Sequence, residues 1–430
     1  QRVAVRLTLI AVIETIYYYG VARNQNRLML KFLNHREMGI DDPLLLRRAA
    51  ATQRAENLEL SRFRGVENLH DCSINSMDLD LVDHRYLLAG GSHGTVTIHD
   101  LCNNSGEFQH ICKIETKVDR FNEYRHRYSI ETVLWYPVDT GMFLTSGTDK
   151  LVKVWDTNTL KTAGEYEFTG IVYSHHMSPV ATTHCLVAVA CQSSTIRLVD
   201  LKSGSNSHTL QGHTRPVVCV KWSTQKEFCL ASGSVDSKIL FWDIRRAKGP
   251  LLVFDQHNGE NVGDRGKTSH SGLINGMKFT PDGLHLLSTG TDDRIRLWNT
   301  TTGKNTLVNY RKTKNDWKRA IELGVTTNCS PDLIFIPNVS SIEVYNMYSG
   351  EHVKTLRGHY AQVNCCIFHP HYQELYSGGN DRSIVVWTPI CDSLAYDDHL
   401  KSQNGEKDYD KNLGYKRVGA TADAWSDDES

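Results

Sequence analysis

The same two-residue motif ends seven segments of this 430-residue chain, and successive copies are 42 to 56 residues apart. The motif is an aromatic residue, or another residue in its place, followed by Asp, Asn or Thr. The seven copies are His99-Asp100, Trp155-Asp156, Val199-Asp200, Trp242-Asp243, Trp298-Asn299, Tyr345-Asn346 and Trp387-Thr388. The motif ends segments such as residues 230–242, in which apolar residues flank a small polar turn. This is the pattern of strand, tight turn and strand.

A repeat of roughly 40–45 residues with this ending is typical of the WD repeat, whose unit is a four-stranded propeller blade. We therefore predict an all-β fold, a seven-bladed WD-repeat β-propeller over residues 61–390. Outside it we expect a helical arm at 29–60 and a disordered acidic tail at 391–430, because the tail's polar, charged composition cannot bury enough apolar surface to fold. Trp425 is the one residue of the tail that suggests an anchor.

The N-terminal segment falls into two parts. Residues 8–22 are apolar but contain Glu14 and are too short to span a bilayer comfortably, so we expect 1–28 to be an extension not native to the protein. From Met29 onward the sequence predicts a helix, because Leu30 and Leu33 have helical spacing.

A second helix is predicted to begin at Asp42 and Pro43, which form an N-cap and first-turn signature, and to run through Asn57 or beyond. The two helices form a helix-loop-helix arm outside the propeller, with no core of their own. Their apolar faces need either a partner or a surface of the propeller.

Composition argues against several classes of function. Lys and Arg total 48 against 49 for Asp and Glu, whereas proteins that hold nucleic acid directly usually carry a basic excess. The eleven cysteines are scattered without a C-x-x-C pair, which predicts packing residues in a reducing compartment and no metal site or cofactor. We expect no membrane association and no direct binding of nucleic acid.

Four repeats contain a hydroxyl residue, a His and an Asp at nearly constant sequence spacings before the Trp that ends the repeat. Each set resembles the catalytic triad of a hydrolase, and the set occurs four times. A catalytic set occurs once per site, whereas a blade-building set occurs once per blade. We predict four buried hydrogen-bond networks, made of His126, Thr145, Asp149 and Trp155; His213, Ser232, Asp236 and Trp242; His270, Ser288, Asp292 and Trp298; and His359, Ser377, Asp381 and Trp387.

The other three blades lack most of this set. Blade 1 keeps His70 but has Ala89, His93 and His99 at the other positions, and blades 3 and 6 have Val199 and Tyr345 in place of the Trp. We expect these blades to be less rigid or to be held by other contacts.

A phosphate-loop resemblance at residues 263–268 (Gly-Asp-Arg-Gly-Lys-Thr) fails on two counts. Asn261 stands where the first Gly of that motif belongs, and no helix is predicted to follow. This segment is predicted to be a polar, mobile insertion without nucleotide chemistry.

Blade 4 alone ends in Trp-Asp-Ile-Arg, which places Arg245 two residues beyond Asp243 on the predicted lower rim. A guanidinium there has no blade-building role and offers a planar fork to a partner's carboxylate or carbonyl groups. The alternative is an ordinary solvated arginine.

From Met29 onward the chain resembles the Cockayne syndrome group A family of WD-repeat proteins. The matching text comprises Met29-Leu, Asp42-Pro-Leu, Leu46-Arg-Arg-Ala, His126-Arg-Tyr-Ser, Trp135-Tyr-Pro, Asp139-Thr-Gly-Met-Phe, Trp155-Asp-Thr-Asn-Thr-Leu, Tyr173-Ser-His-His-Met-Ser-Pro-Val, His184-Cys-Leu-Val-Ala-Val, Asp200-Leu-Lys-Ser-Gly-Ser, Asp255-Gln-His-Asn-Gly, Asp282-Gly-Leu-His-Leu-Leu, Asn305-Thr-Leu-Val-Asn-Tyr, Gln373-Glu-Leu-Tyr-Ser-Gly and Asp423-Ala-Trp-Ser. The chain departs from the family at residues 1–28, at His93 in place of Asp, and over 401–420.

The resemblance implies a non-enzymatic substrate receptor of a cullin-4 RING ubiquitin ligase, acting in the nucleus in transcription-coupled repair. It implies binding to the ligase adaptor, the large subunit of the damaged-DNA-binding complex, through Leu30, Leu33, Asp42, Pro43, Leu44, Leu46, Arg47, Asp243 and Arg245. Further implied partners are the Cockayne syndrome group B ATPase, UV-stimulated scaffold protein A and stalled RNA polymerase II. The alternative is a WD-repeat scaffold of a chromatin or RNA-processing complex with no ligase.

Overall fold

The predicted propeller is confirmed: in a computed structural model, seven sheets of three to five strands make up the fold. The structure describes residues 37–39, 42–67, 72–105, 110–246, 249–260, 267–390 and 392. Several predicted features therefore lie outside the described residues. They are the expected 1–28 extension, most of the first helix of the arm, His70, residues 263–266 of the phosphate-loop resemblance, and the 391–430 tail apart from residue 392.

The strands follow one another blade by blade around the ring. After helix α1 (Pro43–Glu56), strand β1 (Leu58–Leu60) belongs to the last blade. Blade 1 contains β2 (Arg64–Val66), β3 (Ile74–Leu79), β4 (Tyr86–Gly91), β5 (Val96–Ser105) and β6 (His110–Val118); blade 2 contains β7 (Ile130–Trp135), β8 (Met142–Gly147), β9 (Leu151–Asp156) and β10 (Thr162–Glu167); blade 3 contains β11 (Val172–Met177), β12 (Leu186–Cys191), β13 (Thr195–Asp200) and β14 (Ser205–Gln211).

The remaining blades follow the same order with two variations. Blade 4 contains β15 (Val217–Trp222), β16 (Cys229–Ser234), β17 (Ile239–Asp243) and β18 (Leu252–Val253); blade 5 contains β19 (Ile274–Phe279), β20 (His285–Gly290) and β21 (Ile295–Asn299); blade 6 contains β22 (Gly324–Val325), β23 (Leu333–Asn338), β24 (Ser341–Asn346) and β25 (His352–Arg357); blade 7 contains β26 (Val363–His369), β27 (Glu374–Gly379) and β28 (Ile384–Pro389). Blade 5 has three strands, and blade 7 takes its fourth from the N-terminal side.

The core lies between neighbouring blades. Between blades 1 and 2, Leu88 and Ile98 pack with Trp135, Phe143 and Trp155. The rings of Phe143 and Trp155 are stacked, with centroids 5.7 Å apart. The middle strand β16 is buried along its whole length because blades cover both its faces, whereas the outer strand β14 is almost entirely exposed. Each blade is therefore stable only with its neighbours beside it.

Strand β1 closes the ring. It pairs antiparallel with β28, in the register Leu58 with Pro389 and Leu60 with Trp387. The expected helical arm over 29–60 is therefore wrong at its end, because the helix stops at Glu56 and the next residues join the sheet. The reason is tertiary: Leu58 is fully buried in the cluster around Trp387, and β1 covers the open edge of the last blade.

The up-and-down order of the strands defines two faces. The turns between the first and second strands of each blade, and the chain that leaves each third strand, lie on one face, which we call the lower face. The turns between second and third strands and the connections between blades lie on the opposite, upper face. Arg245 follows the third strand of blade 4 and therefore lies on the lower face.

Candidate functional site

The predicted hydroxyl, His, Asp and Trp groups come together in the four blades that carry them. In blade 4 the indole of Trp242 donates to Ser232 Oγ at 2.8 Å, and this hydroxyl is 2.8 Å from His213 Nε2. His213 Nδ1 lies 2.9 Å from Asp236 Oδ2. Because Asp236 can only accept, His213 carries its proton on Nδ1 and accepts from the serine at Nε2.

The other three networks repeat this geometry. The distances from Trp to hydroxyl are 2.7 to 2.8 Å and those from His Nδ1 to Asp 2.7 to 2.8 Å, in the sets Trp155-Thr145-His126-Asp149, Trp298-Ser288-His270-Asp292 and Trp387-Ser377-His359-Asp381. The four hydroxyl-bearing residues are completely buried. Since each hydroxyl is bonded to a tryptophan and shielded from solvent, the arrangement builds a blade and does not present a nucleophile.

Each network also fixes the turn that carries its Asp. Asp236 accepts the backbone N–H of Thr214 at 3.0 Å and that of Lys238 at 3.0 Å. Burial works to raise the pKa of the Asp236 carboxyl, but the hydrogen bond from His213 and these N–H groups outweigh it, and the pKa lies below its usual value. The pKa values of Asp149 and Asp292 are lowered for the same reason.

The blades without the full set are held differently. In blade 1, His99 is buried and its Nε2 lies 3.0 Å from Thr97 Oγ1. In blade 3, Val199 packs in the apolar core, and in blade 6 the ring of Tyr345 meets that of Tyr310 edge-on at 5.8 Å. That these blades are less rigid stays a prediction.

The central channel holds charged side chains in pairs. Lys221 Nζ lies 3.5 Å from Glu322, and Arg319 lies 3.4 Å from Glu131 of blade 2. Cys219 lines the same channel, but burial raises its pKa to about 12, so it is a thiol at neutral pH and a poor nucleophile. Within the described residues, no group of three His, Cys, Asp or Glu side chains could hold a metal ion.

Helix α1 presents its first turn to solvent on the lower face. Asp42 caps it, accepting the backbone N–H of Leu44 at 2.9 Å, and a proline starts the helix as predicted. Leu44 is 63% exposed and Leu45 58%, and Arg47 is also exposed. Leu30 and Leu33, predicted to act with them, lie outside the described residues.

The second half of α1 packs on blades 6 and 7. Thr52 Oγ1 accepts the N–H of Ser330 at 2.7 Å, and Ala55 is 1% exposed. Arg54 forms a bidentate pair with Asp392, at 3.0 and 2.8 Å, and donates to Gln373 at 2.7 Å. The expectation that the whole arm lies outside the propeller is therefore wrong for these turns, which have a surface to bury against.

Arg245 is exposed but already has a partner. Its Nε and Nη2 donate to the two oxygens of Asp243, at 3.0 and 2.8 Å, and its guanidinium lies 4.8 Å from the ring centre of Phe228. One edge of the predicted fork is therefore occupied by the aspartate of its own repeat, and its binding to a partner stays a prediction. Arg245 shares the lower face with α1, but the two stand on different blades.

Leu45 is exposed beside Leu44 but is not among the predicted adaptor-binding residues, although the sequence contains a signal for it. Three leucines stand in a row at the start of α1, and consecutive helical positions point in different directions. Some of them therefore had to face away from the propeller. The stacking of Phe228 under Arg245 joins residues 17 apart in sequence and gave no comparable signal.

Two further properties concern the chain as a whole. The ten cysteines that the structure describes are all free. In the same residues, no helix has the length and apolar character needed to cross a membrane.

Comparison with known proteins identifies WD-repeat proteins as similar to this chain. The family WD domain, G-beta repeat matches residues 204–243, 264–299 and 350–388, which correspond to blades 4, 5 and 7. WD repeat-containing protein ATCSA-1 of Arabidopsis thaliana is 32% identical over 83% of this chain and 95% of its own length.

Other relatives are similar over shorter stretches. Radiation-sensitive protein 28 of Saccharomyces cerevisiae is 26% identical over 40% of this chain and 38% of its own length. A ribosome biogenesis protein WDR12 homolog of Aedes aegypti is 30% identical over 40% of this chain and 37% of its own length. The similarity to ATCSA-1 covers most of both chains, and this chain belongs to the WD-repeat protein family of ATCSA-1.

Proposed function

We propose that this protein is the substrate-recognition subunit of a cullin-4 RING ubiquitin ligase in transcription-coupled nucleotide excision repair, and that it works in the nucleus. The observation that carries the proposal is the lower face, where the first turn of α1 and Arg245 are both exposed. The family relationship to ATCSA-1 supports it. This face would hold the ligase adaptor, the large subunit of the damaged-DNA-binding complex, which in turn binds cullin-4 and the RING subunit.

The two parts of the lower face suit different contacts. Leu44 and Leu45 are apolar side chains left in water, and burying them against a partner is favourable at about 25 cal/mol per Å². Arg245 offers the guanidinium edge not used by Asp243, and its position is fixed by that pair and by Phe228. The helix would supply most of the energy and the arginine the orientation.

The rest of the propeller would hold the substrate. By family resemblance the candidates are the Cockayne syndrome group B ATPase, UV-stimulated scaffold protein A and stalled RNA polymerase II. The receptor's part in ubiquitin transfer is proximity, because it holds the substrate near a ubiquitin-loaded subunit. In this proposal the chain binds proteins and performs no chemistry itself.

The direct test is titration of the purified adaptor against surface variants by calorimetry. Leu44→Asp combined with Leu45→Asp should weaken binding strongly, and Arg245→Ala should weaken it less. Leu307→Asp on blade 5, where the leucine is 68% exposed, and Arg215→Ala on the upper face of blade 4 are matched controls that should bind normally. Unchanged affinity in both lower-face variants would reject the ligase-receptor proposal.

A second candidate is a WD-repeat scaffold of a chromatin or RNA-processing complex without a ligase. The partial similarity to ribosome biogenesis protein WDR12 homologs favours it, though over 40% of this chain or less. Affinity purification from cells distinguishes the two proposals, because a scaffold would co-purify with the other subunits of its complex but without the adaptor or cullin-4.

A further inference from the structure

A cleft of about 910 Å³ opens on the upper face between blades 1 and 2. Its walls are the turn between β4 and β5, the end of β6, the connection from β6 to β7, and the turn between β8 and β9. We call it the blade 1–2 cleft. It lies on the face opposite to α1 and Arg245, so the proposed adaptor contact leaves it open.

The cleft is basic. Lys117, Arg120, Arg125 and Arg127 line it, whereas Asp119 is the one carboxylate among its lining residues. Asp119 Oδ1 is engaged within its own turn, where it accepts the backbone N–H of Phe121 at 2.9 Å. An anionic ligand would therefore meet several cations and little opposing charge.

Two aromatic rings stand among these cations. Phe121 is 79% exposed and Tyr128 is 58% exposed. The guanidinium of Arg120 lies 5.3 Å from the ring centre of Phe121. Cations and exposed rings together suit a peptide that carries both carboxylates and an aromatic side chain.

The connection that bears these residues is held in place from several sides. Lys153 Nζ donates to Tyr124 O at 2.8 Å, and Asn122 donates to Leu160 O at 3.2 Å. The blade 2 network fixes His126, and Asp149 also accepts the N–H of Arg127 at 3.2 Å. The cleft is therefore largely formed before any ligand arrives, which lowers the entropy cost of binding.

We propose that the blade 1–2 cleft binds the C-terminal segment of this same chain, residues 423–429, Asp-Ala-Trp-Ser-Asp-Asp-Glu. This segment has the complementary chemistry: Trp425 for the exposed rings, and Asp427, Asp428 and Glu429 for the arginines. From residue 418 to 430 the chain contains four acidic residues and no lysine or arginine. The pairing accounts for a tryptophan beside the acidic residues at 427–429.

The tail is long enough to reach. Thirty residues lie between Asp392, which is held by Arg54 near the lower face, and Asp423. An extended chain of this length spans up to about 100 Å, whereas a compact domain of 330 residues is about 50 Å across. As a tethered ligand, the segment would act at an effective concentration of up to about millimolar.

Fluorescence anisotropy with a labelled peptide of residues 418–430 tests this on the full-length chain. The receptor is a variant whose own tail is disabled by Trp425→Ala, Asp427→Lys, Asp428→Lys and Glu429→Lys. The peptide should bind this variant, and should bind the wild-type chain at least tenfold more weakly because the native tail competes. A peptide carrying the same four substitutions should not bind.

Variants of the cleft complete the test. Arg120→Glu with Arg127→Glu, added to the disabled-tail variant, should reduce peptide affinity at least tenfold, whereas Arg215→Ala on the upper face of blade 4 should not. Both arginines are exposed, and equal melting temperatures check the fold. Absence of peptide binding, or binding indifferent to Arg120 and Arg127, overturns the proposal. Binding of a single-stranded oligonucleotide in place of the peptide also overturns it and assigns the cleft to nucleic acid.

Discussion

Asp243 and Arg245 of blade 4 are joined by two hydrogen bonds of 3.0 and 2.8 Å, at the point where strand β17 ends. The backbone N–H of Arg245 also donates to Asp243 Oδ1 at 3.1 Å. The aspartate thus orients the arginine through both backbone and side chain. A partner on the lower face would meet a guanidinium whose direction is already set.

The orientation of Arg245 can be tested with a charge-preserving substitution. Arg245→Lys keeps the positive charge but cannot form the two-point pair with Asp243, and an ammonium group lacks the planar fork. We expect adaptor affinity to fall about tenfold or more, as for Arg245→Ala, by calorimetry. The melting temperature should stay at the wild-type value because the side chain is exposed. Wild-type affinity in Arg245→Lys would show that charge alone matters.

The blade 4 network should contribute measurably to stability. Asp236→Ala leaves the Nδ1–H of buried His213 and the N–H groups of Thr214 and Lys238 without their acceptor, at a cost of about 1–3 kcal/mol. Chemical unfolding should show this loss. Asp83→Ala, on an exposed turn of blade 1, is the control and should unfold like the wild type. Equal stability of both variants would contradict the structural role of the network.

The same substitution predicts a dependence on pH. The pKa of Asp236 is lower in the folded protein than in the unfolded chain, so its stabilising contribution is complete above about pH 4. The contribution is lost as the pH falls through the folded-state pKa. Unfolding curves of wild type and Asp236→Ala should therefore converge in acid. A gap that stays constant down to acidic pH would mean that the carboxylate charge plays no part.

His369 should make blade 7 sensitive to mild acid. Its Nε2 donates to His84 O at 2.7 Å, and Nδ1 accepts the N–H groups of His371 and Tyr372. Burial lowers the pKa of His369 to about 4, so protonation would break the bonds at Nδ1. Because the folded pKa is depressed, this stability is present above about pH 6.5 and is lost as the pH falls toward 4, on the order of 3 kcal/mol.

The measurement for His369 is the free energy of unfolding between pH 7 and 4. His369→Asn keeps an acceptor for the two N–H groups but does not titrate in this range. Its stability should be lower at pH 7 and should change less with pH than that of the wild type. His110→Asn, an exposed histidine on β6, should keep the wild-type slope. An unchanged slope in His369→Asn would contradict the prediction.

Arg54 should control the attachment of α1. Its guanidinium links the helix to Asp392 and Gln373, so Arg54→Ala removes at least three hydrogen bonds from a largely buried position. Hydrogen exchange at residues 51–55 should become several-fold faster, while exchange in β16 stays unchanged. Arg47→Ala on the exposed side of the helix is the matched control. Unaltered exchange in Arg54→Ala would mean that the packing of Ala51 and Ala55 and the hydrogen bonds of Thr52 hold the helix without this arginine.

The sequence predicted the ring well because its signals are local. The Trp, hydroxyl, His and Asp of each network lie within 30 residues of one another, so their spacing alone predicts the blade. The cap of α1 is likewise contained in Asp42 and Pro43. The contact of Arg245 with Asp243 is also local, and a two-residue spacing could have indicated it.

The features that escaped prediction depend on distant parts of the chain. Strand β1 has three residues and no informative alternation, and its pairing partner lies more than 300 residues away. Helical propensity favoured continuing α1, but burial of Leu58 against blade 7 decided the outcome. The blade 1–2 cleft is assembled from three separate segments, around residues 92–95, 117–129 and 148, none of which is distinctive alone.

The pairing of β1 with β28 has a consequence for biosynthesis. The ribosome delivers Leu58–Leu60 early, yet Ile384–Pro389 emerges more than 300 residues later. At about 5–20 residues per second, the growing chain waits from roughly a quarter of a minute to a minute with an unpaired strand and unfinished neighbouring sheets. Such edges invite association between nascent chains. The cellular yield of this protein should therefore respond to translation speed and to chaperone capacity, even for variants whose finished ring is fully stable.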